Sequence, residues 1–276
     1  MRNRLYHGEH GGLRRSRSSI NKVPCPPFVT VSSVVAHFEF ADKTCTAPAA
    51  RSDRMRDIAL AHVPRDRAIR LLDLGCGTGS LLFRLAEALP AAALCGVDIS
   101  PANIRAARTR QAGQPAAGRV RFEAADYLDY VAEPFDAIVT DGVLHLIPGD
   151  SATLVRKLAS DLVPGGLLFC SMPFDCAYNR AFAGVRRVLR SVRSSWLDLL
   201  ILKFARFLHG AEMDEEGLRE RVDYMYIAPE RLMSEPLAAC FASVGLRRVA
   251  TYPMESTSPS QLKHQVTVFA REPIRS

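Results

Sequence analysis

From Arg70 onward, short aliphatic runs alternate with segments of helical periodicity, and this alternation is the feature that most limits how the chain can fold. The first run, Arg70–Leu74, predicts a buried strand, and leucines then recur at helical spacing. Such alternation is typical of βαβ units with a parallel sheet. Further strands are predicted at residues 93–97, 120–123, 137–140 and 166–171, and a closing pair at 246–252 and 265–270 predicts an antiparallel edge. We therefore expect an α/β fold whose sheet is doubly wound, mostly parallel and seven-stranded, with an antiparallel edge strand.

The length and charge of the chain indicate one large domain behind a basic extension. A chain of 276 residues, 48% of them hydrophobic, can bury a substantial core. Residues 1–22 carry six Lys or Arg against one acid, so most of the net charge of +7 lies there. We predict a disordered basic N-terminal extension at residues 1–27, with an organellar transit peptide as the alternative, and one domain at residues 28–276. This charge distribution predicts no nucleic-acid partner.

The sequence also indicates where the protein is located, whether it spans a membrane and whether it binds a metal. None of the seven cysteines forms a C-x-x-C pair, so we predict a cytoplasmic protein without a disulfide framework. The longest apolar stretch, residues 196–208, is interrupted by charges and is too short to span a bilayer, so no transmembrane segment is predicted. No set of His and Cys residues has zinc-like spacing, so no metal site is predicted.

A glycine-rich turn separates the first predicted strand from the helix that follows it. Gly75, Gly77 and Gly79 remove side chains where a ligand approaches the backbone, and the helix beyond them presents unpaired N–H groups. Asp98 ends the second strand, where a carboxylate can accept hydrogen bonds from both ribose hydroxyls of a nucleoside. A dinucleotide fingerprint has its third glycine at the position of Ser80, whereas this turn reads G-x-G-x-G. The pattern predicts a nucleoside cofactor other than NAD.

The sequence D-L-G-C-G-T-G at residues 73–79, followed by G-V-D-I-S at residues 96–100, resembles the first two cofactor motifs of class I S-adenosylmethionine-dependent methyltransferases. The resemblance extends over residues 55–173 and implies a Rossmann-like fold with S-adenosylmethionine as methyl donor. It implies that the glycine turn lies against the methionine and ribose parts of the cofactor, and that Asp98 holds the ribose hydroxyls. Ile99 would pack on the adenine, and Asp126 would accept from its exocyclic amine. The cofactor-binding residues implied in this way are Asp73, Gly75, Cys76, Gly77, Gly79, Asp98, Ile99, Asp126, Tyr127 and Asp141.

Residues 136–145, at the fourth predicted strand, resemble the motif whose backbone lines the methyl-transfer site. His145 lies just beyond this strand, where it could act as a catalytic general base toward a substrate hydroxyl or pack beneath the cofactor. The segment is not N-P-P-Y or D-P-P-Y, so the resemblance does not extend to enzymes that methylate exocyclic amines of nucleic-acid bases. It also lacks the Asp-Asn pair of the magnesium-dependent catechol methyltransferases, which again argues against a metal.

Residues 173–228 interrupt the strand pattern and predict a helical insertion that sets substrate specificity. Apolar residues recur at helical spacing between Leu189 and Phe204, with arginines close by in the sequence. We interpret the insertion as a lid packed over a small-molecule substrate, which can be apolar or anionic. A helix lying on a membrane surface is the alternative.

The predicted function is transfer of a methyl group from S-adenosylmethionine to a small-molecule acceptor by in-line displacement, with alignment of the nucleophile as the main contribution of the protein. Two other functions stay open. One is a non-catalytic protein that binds S-adenosylmethionine, because a fold does not fix an activity, and the other is a NAD-dependent oxidoreductase. The sequence leaves the acceptor, its accepting atom and the oligomeric state undetermined.

Overall fold

The computed structural model describes residues 47–209, 222–223, 225–254 and 261–273, and the predicted extension at residues 1–27 lies outside them. The strands are β1 (Arg70–Leu74), β2 (Ala93–Asp98), β3 (Val120–Ala124), β4 (Phe135–Asp141), β5 (Leu162–Pro173), β6 (Leu246–Met254) and β7 (His264–Arg271). The α-helices are α1 (Ala49–Leu60), α2 (Ser80–Ala88), α3 (Pro101–Gln111), α4 (Ser151–Ser160), α5 (Ala177–Ser191), α6 (Ser195–His209) and α7 (Glu235–Ser243).

The strands form one seven-stranded sheet in the order β3-β2-β1-β4-β5-β7-β6, which confirms the predicted Rossmann-like α/β class. Strands β1 to β5 are mutually parallel, and β7 runs antiparallel to both β5 and β6. The antiparallel strand therefore lies one position in from the edge, which is occupied by β6. The chain moves outward from β1 to β3 and then returns to β4 on the other side of β1. A crevice at the carboxyl ends of β1 and β4 follows from this reversal and is the usual ligand position in such sheets.

Each face of the sheet is covered by helices because neighbouring strand residues point to opposite sides. Leu71 packs in one hydrophobic cluster with residues of α1, α2 and α3, whereas Leu72 packs in a second cluster with residues of α4 and α7. In the second cluster the rings of Phe241 and Phe269 stack with centroids 4.4 Å apart. The helix α3 begins at Pro101, with Ser100 as its N-cap accepting a hydrogen bond from the backbone N–H of Asn103.

The helical insertion contains α5 and α6, but the apolar stripe predicted for it does not pack as a lid. The side chains of Trp196 and Phe204 are 71% and 63% exposed, and Val192 and Leu200 are exposed as well. Helix α5 instead buries a different face, which contains Asn179, Ala183 and Arg186.

No helix of the described residues is long and apolar enough to cross a membrane. Four cysteines of the described part are free thiols, namely Cys76, Cys95, Cys170 and Cys176. Cys240 is disulfide-bonded, which departs from the cysteine usage of a reducing compartment that the sequence predicted.

Candidate functional site

The turn after β1 has the backbone that its glycines allow. Gly75, Gly77 and Gly79 have φ values of 75°, 52° and 81°, a region in which L-residues with side chains are strained. A Cβ on Gly75 would lie 2.2 Å from Cγ2 of Val143, so this turn and the segment after β4 approach too closely for any side chain. The backbone N–H of Gly75 donates to the carbonyl of Val97 at 2.8 Å and fixes the turn to β2.

Asp98 connects the carboxyl end of β2 to the glycine turn. Its Oδ2 accepts from the backbone N–H of Gly77 at 2.9 Å. Its Oδ1 accepts from the backbone N–H of Ser100 at 2.8 Å and from Nδ2 of Asn103 at 3.0 Å. A carboxylate offers about four acceptor positions, so Oδ2 retains one for a ligand hydroxyl. The predicted ribose-binding role of Asp98 is compatible with this geometry and stays a prediction.

Asp73 presents a buried carboxylate oxygen with no hydrogen-bond partner. The residue lies on β1, two positions before Gly75, its side chain is 2% exposed, and its Oδ2 is unpartnered within the described residues. Burial, followed by the nearby carboxylates of Asp141 and Asp98, raises the pKa of Asp73 well above its usual value. An unsatisfied buried acceptor is costly unless a ligand supplies a donor. The methionine part of S-adenosylmethionine carries an ammonium group and a sulfonium, which supply the required donors and positive charge.

The remaining predicted cofactor residues divide into those near the crevice and those in the core. Ile99 is half-buried next to Asp98, where an adenine ring could pack on it. Oδ1 of Asp126 accepts from the backbone N–H of Leu128 at 2.9 Å, which is a local turn contact. The Sγ of Cys76 packs towards Gly96, and burial raises the pKa of this thiol well above its usual value.

Tyr127 does not present its side chain to the crevice. It is 4% exposed in the second hydrophobic cluster, and its hydroxyl donates to Oδ2 of Asp161 at 2.8 Å. The ammonium of Lys157 lies 4.7 Å from the ring centroid. The part of Tyr127 that remains for a cofactor contact is therefore its backbone.

Asp141 ends β4 and is paired with an arginine that the sequence analysis did not identify. Nε and Nη2 of Arg51, on α1, donate to both carboxylate oxygens of Asp141 at 2.6–2.9 Å. Nη2 also donates to Oγ of Ser171 at 3.0 Å and lies 3.0 Å from Nδ1 of His264. Because a guanidinium has only donors, Nδ1 of His264 is the acceptor and its proton is on Nε2. Arg51 thus joins α1 to the ends of β4 and β5 and to the start of β7.

His145 and His264 form an edge-to-face pair with ring centroids 5.4 Å apart. His145 is 6% exposed, and its Nδ1 has no hydrogen-bond partner within the described residues. Burial lowers the pKa of both imidazoles well below the usual value, and the positive charges of Arg51 and Arg186 lower it further. Both rings are therefore neutral near pH 7.

Arg231 fixes the loop that carries His145. It is 4% exposed and donates to the backbone carbonyls of Leu144, Ile147 and Gly149. Burial lowers the pKa of this guanidinium. No group of three or more His, Cys, Asp or Glu residues that could hold a metal ion is found in the described part of the chain.

A family model described as a methyltransferase domain matches residues 72–168, which include the glycine turn and Asp98. The chain is 37% identical over 186 residues to a trans-aconitate 2-methyltransferase of Azoarcus sp., and the match covers 62% of this chain and 68% of that relative. The chain belongs to the class I S-adenosylmethionine-dependent methyltransferases.

Solved structures of methyltransferases share the fold at low sequence identity. A SAM-dependent methyltransferase from Methanosarcina mazei has a TM-score of 0.57 at 16% identity, with 79% of this chain and 98% of that chain covered. The N-methyltransferase NodS from Bradyrhizobium japonicum, in complex with S-adenosyl-L-homocysteine, has a TM-score of 0.53 at 18% identity, with 86% and 96% covered. The chain spans about half the length of several other curated relatives that it matches, which are also called trans-aconitate 2-methyltransferases.

S-adenosylmethionine is therefore the methyl donor of this methyltransferase, and the predicted enzyme class is confirmed. The comparisons give no support to a NAD-dependent oxidoreductase or to a non-catalytic binding protein. The open oxygen of Asp73 and the remaining acceptor position on Asp98 fit the donor groups of this cofactor. The spacing of the sequence motifs predicted the cofactor-binding half of the site. Arg51, Arg231 and His264 lie outside the motifs, and no sequence pattern identified them.

Proposed function

We propose that this methyltransferase esterifies a carboxylate of a small, multiply charged anion, of which trans-aconitate is the first candidate. The curated relatives with that name supply the candidate, and the positive electrostatic environment beyond Asp141 supplies the physical support. Burial is the largest cause of the lowered pKa of His145, and the positive charges of Arg51, Arg186 and Arg231 lower it further, so this end of the crevice has several basic side chains nearby. Arg51 is compensated by Asp141, whereas no carboxylate of the described residues pairs with Arg186. A basic, largely buried region favours an anionic ligand.

The proposed reaction is an in-line displacement at the methyl carbon. A carboxylate oxygen of the acceptor forms the new O–CH3 bond as the C–S bond breaks, and the electron pair of that bond stays on sulfur. The products are a methyl ester and S-adenosylhomocysteine, and no proton is released. The protein contributes orientation and exclusion of water, which can amount to roughly 7–11 kcal/mol in favourable systems.

Within this proposal, the chain's own residues divide the work between cofactor and acceptor. The glycine turn would let the cofactor approach the backbone, Asp98 would hold a ribose hydroxyl, and Asp73 would accept from the methionine part. Ile99 and the segment around Asp126 would contact the adenine. The backbone after β4, next to Gly75 through Val143, would line the place where donor and acceptor meet.

His145 is assigned to binding of the acceptor in this proposal. A carboxylate is already ionised near neutral pH, so its methylation requires no general base. A neutral imidazole with a buried, unpartnered Nδ1 can instead hydrogen-bond to the acceptor. For an acceptor that reacts through a hydroxyl group, the general-base role predicted from the sequence would apply to the same residue.

The insertion at residues 173–228 would cover the acceptor through the buried face of α5, with α6 outside the site, and residues 28–276 would form one domain. We also propose a cytoplasmic location. The free thiols at Cys76, Cys95, Cys170 and Cys176 support a reducing compartment, whereas the disulfide at Cys240 counts against it.

The proposal is tested by incubating the protein with S-adenosylmethionine carrying an isotopically labelled methyl group and with trans-aconitate, tricarballylate, simple dicarboxylates, phenols and amines in parallel. We expect label in a base-labile methyl ester of a polycarboxylate, identified by mass spectrometry. A boiled sample and the Asp98→Asn variant serve as controls. Label in phenols or amines, with no ester formed, would contradict the carboxylate assignment while leaving the methyltransferase class intact.

A further inference from the structure

Arg186 is a buried cation without a counter-charge among the residues that the structure describes. Its side chain lies on the buried face of α5 and is 8% exposed. Nη1 donates to the backbone carbonyl of Ile227 at 3.0 Å, and the guanidinium lies 4.8 Å from the ring centroid of Phe182. Its Nε is buried and has no acceptor within the described residues. One carbonyl and one aromatic ring do not replace the hydration that burial removes.

A buried guanidinium of this kind destabilises the folded protein unless a ligand supplies the missing acceptor and counter-charge. An isolated buried charge is disfavoured by several kcal/mol or more, and proteins normally pair it with a carboxylate or another anion. Arg231 shows the alternative in the same molecule, because backbone carbonyls surround it and satisfy its donors. Arg186 lacks this cage, so a structural role alone does not account for it.

Arg186 lies close enough to His145 and His264 for its charge to lower the pKa of both imidazoles, and hydrogen bonds of the neighbouring segments agree with this position. Asn179, on the same face of α5, donates from Nδ2 to the carbonyl of Lys263 at 2.8 Å and accepts from the backbone N–H of Lys263 at 2.8 Å. Lys263 directly precedes His264. On the other side, the segment that accepts from Arg186 at Ile227 continues to Glu230, whose backbone N–H donates to the carbonyl of His145 at 2.8 Å.

Nε of Arg186 and Nδ1 of His145 are thus two buried polar atoms of this region without a hydrogen-bond partner among the described residues. Arg51 binds both Asp141, at the end of β4, and His264, whose ring packs edge-to-face on His145. A ligand held between Arg186 and His145 would therefore lie beside the end of β4, where the methyl group would be transferred.

We propose that Arg186 and His145 form the subsite for a carboxylate of the acceptor that is not methylated. This inference rests on the proposed function for the identity of the acceptor. Arg186 is not expected to bind the carboxylate that is methylated, because charge-assisted hydrogen bonds would withdraw electron density from its nucleophilic oxygen. A second carboxylate held there orients the first one and selects polycarboxylates over monocarboxylates.

The test uses tricarballylate, a saturated tricarboxylate, as the probe in calorimetric titrations of the full chain saturated with S-adenosylhomocysteine. We expect Arg186→Met to weaken tricarballylate binding roughly 10- to 150-fold, the effect of losing a hydrogen bond to a charged group. Arg187→Met removes the same charge from the next residue of α5, which is exposed, and should change binding less than about twofold. The affinity for S-adenosylhomocysteine should be the same in all three proteins.

Steady-state kinetics with the methylated acceptor provide a second readout. Arg186→Met should raise the KM for the acceptor while the KM for S-adenosylmethionine stays unchanged. If Arg186→Met does not unfold cooperatively, Arg186→Lys replaces it, and we expect at least about fivefold weaker binding because an ammonium cannot reproduce the planar fork.

The outcomes separate the subsite from the proposed function. Binding of tricarballylate that depends on Arg186, without methylation of any carboxylate, supports the subsite and refutes the function. Methylation of a polycarboxylate with unchanged KM in Arg186→Met overturns the subsite and keeps the function. Absence of tricarballylate binding to the parent protein also overturns the subsite.

Discussion

Replacing Asp98 with asparagine tests the cofactor half of the site with the smallest change in shape. The carboxylate accepts three protein hydrogen bonds, from Gly77 and Ser100 backbone N–H groups and from the Asn103 side chain. An asparagine has one oxygen, and that oxygen best serves Ser100 and Asn103 together. Its amide nitrogen then faces the N–H of Gly77, donor against donor, and can no longer accept from a ribose hydroxyl.

The magnitude follows from the bonds that are lost. A hydrogen bond to a charged group contributes about 1.5–3 kcal/mol, so loss of the ribose bond should weaken binding of S-adenosylhomocysteine roughly 10- to 150-fold. Leaving the N–H of Gly77 without an acceptor should lower the free energy of unfolding by about 1–3 kcal/mol. For a chain of this size, that is a fall of about 2–4 °C in Tm for each kcal/mol.

Calorimetric titration with S-adenosylhomocysteine and thermal unfolding measure the two effects separately. Asp129→Asn is the matched control, because it makes the same carboxylate-to-amide change at an exposed position shortly after β3. It should alter neither quantity appreciably. A folded Asp98→Asn protein that binds S-adenosylhomocysteine within about twofold of the parent would refute the assignment of Asp98 to the cofactor.

Three further predictions follow from the site. Gly75→Ala should abolish cofactor binding and destabilise the fold, because the new Cβ would lie 2.2 Å from Cγ2 of Val143 and the positive φ angle disfavours any side chain. Retained binding of S-adenosylhomocysteine in a calorimetric titration would contradict this close approach. His145 and His264 have lowered pKa values in the folded state, so the unfolded chain takes up protons first, and stability should fall below about pH 6.5 by up to about 1.4 kcal/mol per pH unit for each histidine. The raised pKa of Asp73 acts in the opposite direction, so the histidine effect is measured by comparing urea unfolding of the parent and of His145→Gln at pH 7 and pH 5. An equal change in stability in the two proteins would show that His145 is not buried as described. Trp196→Ser should change kcat/KM for the acceptor less than about twofold, because this side chain is exposed, and a tenfold loss would instead place α6 over the acceptor. Co-sedimentation of this variant with vesicles that equals that of the parent would argue against a membrane role of α6.

The sheet and the cofactor turn could be predicted because both have local signals. Each strand is a short apolar run bounded by turn residues, and the glycines of the turn adopt positive φ angles that few other residues accept. Even the pairing of the final two strands was predicted, since they follow each other without a crossover helix. The sequence did not show that β7 inserts between β5 and β6, because strand order depends on contacts between distant residues.

The acceptor side of the site could not be predicted for the same reason. Arg51 lies on α1, which precedes β1 in the chain, and its partner Asp141 lies ninety positions later, so no local sequence pattern predicts their ion pair. Tyr127 shows another limit of local patterns, since its motif position does not indicate that the hydroxyl donates to Asp161 in the core, and its contact with the cofactor stays a prediction. For α6, helical periodicity was interpreted as packing, yet the same periodicity produces an apolar face whether or not anything covers it.

The reversed direction of β7 has a consequence for how such enzymes can diversify. Its first residue, His264, pairs with Pro173 at the last position of β5, so the beginning of one strand arrives where five parallel strands terminate. Residues 261–264 lead into this strand and include none of the residues assigned to the nucleoside. Exchange of residues 261–264 between relatives should therefore change the choice of acceptor independently of donor affinity, so that new specificities can arise at the start of β7.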